Sequence, residues 1–201
     1  MKKLFYLFLL GGVLLSSCEL EDENNNDGGG TGGGGNNNQT EEGLVQSFNV
    51  SLNYNSTSLT AASAFDVDDL KTVGASNSAA DVCLGWQNNQ GYFMSSPNGN
   101  LLKECYSFND ITLSNSNTTT VANLGQVSLS NYDEASELKS LSVTSGSIPN
   151  LNGKNQVIVN SGDVIAFQKG NVKGVGQVTG LSKVTKKITF KGYVYNPSSA
   201  K

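Results

Sequence analysis

The stretch QVIVNSGDVIAFQKGNVKGVGQVTGLSKVTKKITFKGYVY, Gln156 to Tyr195, decides the fold. It divides into four runs rich in β-branched and aromatic residues: Gln156 to Val159, Asp163 to Gln168, Val172 to Thr179 and Val184 to Tyr195. Such residues fit a pleated, half-buried surface. The breaks are Ser161-Gly162, Lys169-Gly170-Asn171 and Gly180-Leu181-Ser182. Connections this short join antiparallel neighbours, so the expectation is a four-strand meander. In the last run Ile188, Phe190 and Val194 alternate with Lys187, Thr189, Lys191, Tyr193 and Tyr195. The first set belongs to a core, and the second is expected to face water. The run Gly174 to Gly180 departs by one position from a dinucleotide-binding glycine pattern and lies between strands, so it reads as a bent or bulged strand.

Working back toward the N-terminus, the same period-2 pattern recurs. Phe48, Val50, Leu52 and Tyr54 alternate with Asn49, Ser51 and Asn53. Ala61 to Val67 is a second strand candidate. Ala80 to Trp86, the turn Asn88-Asn89-Gln90-Gly91 and Tyr92-Phe93-Met94 read as a hairpin. Tyr106 and Phe108 alternate in a short strand after Cys105. One segment, Asn131 to Leu141, has helical spacing, with Ala135, Leu138 and Leu141 on one face and Asn131 and Glu134 placed for a capping box. No repeat of fixed period occurs, which disfavours a solenoid or propeller. The expected fold is all-β with one short helix, an antiparallel β-sandwich or open barrel over residues 44–201.

The first 43 residues are of another kind. Lys2 and Lys3 precede an apolar run from Leu4 to Leu15, and Leu15-Ser16-Ser17-Cys18 follows. A spanning helix needs about 20 apolar residues, so this run suits an export signal better than a permanent anchor. The ending resembles the lipobox of bacterial lipoprotein signal peptides. That resemblance implies removal of residues 1–17, acylation of Cys18 with fatty acids such as palmitate, and attachment to a membrane through it. Residues 19–43 carry seven acids and no base, then runs of Asn and Gly. Such a segment buries too little apolar area to offset its backbone entropy, so 18–43 reads as a tether with a reach of roughly 25–30 Å. The glycine run lacks the Lys-Ser/Thr ending of a phosphate-binding loop. Glu19, Glu21, Asp22 and Glu23 resemble the acidic export signal of Bacteroidota surface lipoproteins, which implies the outer membrane, facing the cell exterior. The final meander is reminiscent of small β domains on such lipoproteins, haem-capturing ones included. Their haem ligands are histidines, and this chain has none.

The absence of histidine removes Ser-His-Asp and Cys-His nucleophile systems and every His-ligated metal or haem site. Neither a cofactor nor a metal is implied. Asp66, Asp68 and Asp69 lack the glycine and distal glutamate of a calcium loop, so they read as solvated strand-end acids. Nucleic acid is excluded as a partner, because all 13 bases are lysine and arginine is the residue suited to bidentate base and phosphate recognition. Charge is uneven: residues 44–153 hold nine acids and three lysines, and residues 154–201 hold one acid and eight lysines. Either the halves interleave and cancel, or they build a basic face for an anionic ligand.

With Cys18 acylated, Cys83 and Cys105 remain. In an oxidising compartment such a pair reads as a disulfide, whose loop of about 20 residues would contribute on the order of 3 kcal/mol. The alternative is two buried thiols. Candidate ligand contacts are aromatic and basic: Trp86 on the hairpin, and Lys187, Lys191, Tyr193 and Tyr195 on the last strand, since aromatic faces flanked by Asn and Lys suit sugars or small amphipathic molecules. Together these features imply a non-catalytic binding or interaction module on the cell envelope, taking a glycan, small-molecule or protein ligand. A structural or adhesive component without a small ligand is the second reading. A glycan hydrolase using a carboxylate pair is the third.

Overall fold

The computed structural model describes residues 44–106, 117–148 and 154–199. Cys18, the signal segment 1–17, the tether and the Phe108 part of the expected strand lie outside the described residues. Among the described residues the strands are β1 (Val45–Asn53), β2 (Ala64–Asp66), β3 (Lys71–Val73), β4 (Val82–Gln87), β5 (Gly91–Ser95), β6 (Thr120–Gly125), β7 (Gln156–Ile158), β8 (Val164–Lys169), β9 (Val172–Ser182) and β10 (Lys187–Tyr195). Two short helices, α1 (Asn100–Cys105) and α2 (Ala135–Ser140), join them. The strands form two antiparallel five-stranded sheets, in the orders β1-β10-β9-β8-β6 and β3-β2-β4-β5-β7. Each sheet is open, so the architecture is a sandwich and not a closed barrel. No helix among the described residues is long and apolar enough to cross a membrane.

Four phenylalanines tie the sheets face to face. Phe48, Phe167 and Phe190 come from the first sheet and Phe65 from the second, with ring centroids 4.6 Å apart for Phe48–Phe65 and 5.9 Å for Phe65–Phe167. Tilted and edge-to-face contacts of this kind add about 0.5–1.5 kcal/mol per pair beyond simple burial. Gly176 of β9 leaves room for them: a Cβ there would lie 2.3 Å from the Phe190 ring and 2.8 Å from that of Phe48. A bulge opposite Thr189 and Phe190 shifts the β9–β10 register and bends the glycine-rich strand, as its composition implies.

Three expectations need correcting. The C-terminal meander has three strands, β8-β9-β10, because β7 pairs with β5 in the other sheet. The final strand does not keep one wet face. Tyr195 is only 7% exposed, and Tyr193 is partly covered, because α2 and the Leu129–Tyr132 turn pack over that end of the sheet in a second apolar cluster with Leu138, Val164, Ala166 and Val175. Lys187 and Lys191, at the other end, stay exposed. Finally, the expected disulfide is not formed: Cys83 and Cys105 are free thiols. Cys83 is fully buried in β4 and Cys105 ends α1, a helix that the polar run before it does not announce.

Candidate functional site

One end of the sandwich opens into a cleft of about 650 Å³. Small-ligand sites span about 300–1,000 Å³. Four segments converge on it. The end of β1 brings Asn53 and Tyr54 with Asn55 and Ser56, and the β4–β5 hairpin brings Trp86, Gln87 and Asn88. The C-terminus of α1 brings Glu104 and Cys105, and the β9–β10 turn brings Thr185 and Lys186. Trp86 is the chain's sole tryptophan.

Local rules fix the indole. Trp86 stands opposite Tyr92 in the hairpin register, and the two rings meet edge to face at 4.7 Å. A turn closed by Gln90 N–H donating to Gln87 C=O (3.1 Å) follows, and Gly91 takes the positive φ of 84° that the turn requires. Within it Asn88 Oδ1 accepts from the indole Nε1 at 3.3 Å. The indole edge is therefore held, and one ring face is covered by the Lys186 ammonium, 3.4 Å from the centroid. Lys186 sits at φ 54°, a left-handed conformation that turns its side chain back over the hairpin. Its carbonyl accepts from Tyr54 N–H at 2.9 Å, and Tyr92 Oη donates to Ser182 C=O at 2.6 Å. The first bond ties the β9–β10 turn to the end of β1 in its own sheet, and the second pins it to the hairpin of the other sheet.

The floor is hydrogen-bonded and protonated at neutral pH. Tyr54 Oη donates to Cys105 C=O. Burial, then the nearby Cys105, pushes the Tyr54 phenol up to about 12. Burial, reinforced by Glu104, pushes the Cys105 thiol up to about 12 as well. Thiolate is the nucleophilic form, so Cys105 is not an activated nucleophile. Gln87 keeps a buried Oε1 with no hydrogen-bond partner. Glu104 is the only carboxyl group among the described lining residues. A glycoside-cleaving pair needs a second one within roughly 5–9.5 Å.

Of the five aromatic and basic candidates, the structure brings only Trp86 into this cleft. Tyr195 borders a separate basin of about 340 Å³ with Lys139 and Lys173, and there the Lys173 ammonium is already spent on the carbonyls of Lys139 (2.7 Å) and Leu141 (2.8 Å). The acids near Asp66 are also engaged. Asp66 accepts from the backbone of Asp68 and Asp69, and Lys169 places its ammonium 2.6 Å from Asp68 and 2.9 Å from Asp81. That ion pair joins the acidic and basic halves of the chain, so the uneven charge interleaves at this point. Residues Tyr54, Gln87, Glu104 and Lys186 carried no separate signal in the sequence. The proximity of a lysine-bearing turn to Trp86 is a long-range fact.

The fold and cleft together define a two-sheet antiparallel β-sandwich with an aromatic, amide-lined site at one end. No protein-family model, curated protein or solved structure matches the chain.

Proposed function

We propose that the chain is a non-catalytic binding module held on the outer membrane through Cys18, displayed to the cell exterior, with the Trp86 cleft as its ligand site. The observation that carries the reading is the placement of the only indole in a cleft ringed by amide and hydroxyl side chains. A rigid aromatic with convergent polar groups supplies contact area and orientation together. The Gly- and Asn-rich composition of 18–43, which suits a tether between anchor and domain, supports the display reading.

The test is the melting temperature of the full chain against a panel of glycans, porphyrins and peptides. A ligand at 100 times its dissociation constant stabilises the folded state by about 2.7 kcal/mol, an easily read shift. A midpoint unmoved by every member of the panel leaves the structural or adhesive reading in its place. Attachment is checked separately: Cys18→Ser is expected to abolish fatty-acid labelling, and retained labelling refutes the anchor.

A further inference from the structure

We infer that the cleft recognises a neutral carbohydrate, whose apolar ring face stacks on Trp86 after displacing the Lys186 ammonium, so that Lys186 is a built-in lid over the site. This rests on the cleft being the binding site and adds the ligand class and the gating residue.

The lining chemistry selects the class. Asn53, Gln87 and Asn88 carry amides, groups that both donate and accept, and Asn55, whose Oδ1 already accepts from the Thr57 N–H and Oγ1, adds donors. A sugar hydroxyl has the same dual character, and neighbouring hydroxyls can engage one amide together. An organic cation would need acceptors and a surplus of negative charge. The cleft instead holds one carboxyl, Glu104, balanced by one ammonium, Lys186. A peptide in an extended groove needs apolar pockets for alternate side chains, and the described lining offers only Trp86 and the largely buried Tyr54 as large aromatic surfaces.

Lys186 supplies the gate. Its ammonium lies 3.4 Å from the centroid of the ring face that a sugar would use. A cation over an aromatic face is attractive, but weakly so where solvent reaches it. The ammonium can therefore leave for water at small cost, while the turn that carries it stays pinned by the Tyr54 and Ser182 bonds. The free protein thus keeps its partly buried indole covered on the cleft side, and the ligand replaces one weak contact by a stacked ring plus hydrogen bonds.

Trp86 is also the reporter, since its emission is the only indole signal in the chain. The full chain is titrated with cellohexaose, maltohexaose, mannohexaose and chitohexaose, and in parallel with tetramethylammonium and a neutral tripeptide. Saturable change with at least one oligosaccharide is expected, together with about two- to five-fold tighter binding by Lys186→Met, the factor set by losing an exposed cation–π contact. By calorimetry Trp86→Ala is expected to lose that binding. Should Trp86→Ala fold poorly, the Lys186→Met affinity decides alone. Emission that answers tetramethylammonium or the tripeptide but no sugar overturns the carbohydrate class and leaves the cleft as a site. Sugar binding weakened or unchanged by Lys186→Met overturns the lid. No response to any of the six overturns both the class and the cleft.

Discussion

Gly176 shows how much one missing methyl group matters here. Its Cβ position is occupied by the rings of Phe190 and Phe48, which together with Phe65 weld the sheets. Gly176→Ala should therefore overpack the core and cost about 1–3 kcal/mol, read as a lower urea midpoint with an unchanged slope. An unchanged midpoint would mean that the rings yield freely. At Cys83 and Cys105 the outcome depends on burial. Burial raises both thiols, Cys105 to about 12, and keeps them in the unreactive protonated form. Native protein is expected to react sluggishly with a thiol reagent and denatured, unreduced protein to show two thiols in residues 44–201. Zero thiols after denaturation would restore the disulfide. The cysteine count alone made a bridge reasonable. It could not say that one partner lies inside a strand and the other at the end of a helix.

At the scale of elements, α2 is the clearest case of structure held by its surroundings. Six residues are too few for a helix to persist alone in water. No side-chain hydrogen bond caps it: Glu134 takes the N-cap position, not the expected Asn131. What holds α2 is Leu138, fully buried against Val164, Ala166, Val175 and Tyr195. Leu138→Ala should cost about 2–5 kcal/mol. It should also speed amide exchange in 135–141 far more than in β9, where the ladder is continuous. Equal acceleration in both would show that α2 and the sheet unfold as one unit. The period of Ala135, Leu138 and Leu141 made the helix legible. Nothing in that period says that it lies over Tyr193 and Tyr195, which is why those two tyrosines looked like surface residues. The β4–β5 hairpin is the opposite case, since its turn chemistry and alternation are local and appear in the structure nearly as read.

For the whole molecule the question is what keeps two sheets in register besides the phenylalanines. Lys169, on β8, reaches across to Asp68 and Asp81 of the other sheet's segments. Burial holds the Asp81 carboxyl above its ordinary range, against the pull of Lys169 and the Val67 N–H. Burial thus disfavours the Asp81 carboxylate, and the Lys169 ammonium at 2.9 Å opposes that penalty. Burial lowers the Lys169 ammonium, but hydrogen bonds and charge from Asp68 and Asp81 outweigh it and leave the net shift upward. A lysine whose folded pKa is raised contributes stability that is complete below the unfolded value of about 10.4 and is lost as pH climbs through the higher folded value. Lys169→Met should thus cost about 2–3 kcal/mol at pH 7, because Asp81 loses its cation but keeps donors from Val67 and Asn117. The gap to wild type should narrow as pH rises past about 10.5 and close only above the raised folded value of Lys169. A gap that persists there would assign the loss to packing of the lysine stem.

The sequence by itself determined the β class, the amphipathic faces of β1, the core face of β10, the β4–β5 hairpin, the short helix and the exclusion of histidine chemistry. All of these are local: strand period, turn residues and side-chain inventory act within a few positions of one another. Tertiary structure alone decided that β7 leaves the meander for the other sheet, that α2 covers Tyr195, that Lys169 pairs with Asp81, and that Lys186 lies on Trp86. Each of those is a contact between segments distant in the chain. A period-2 pattern says which face a side chain joins, and only the packed molecule says what lies against that face.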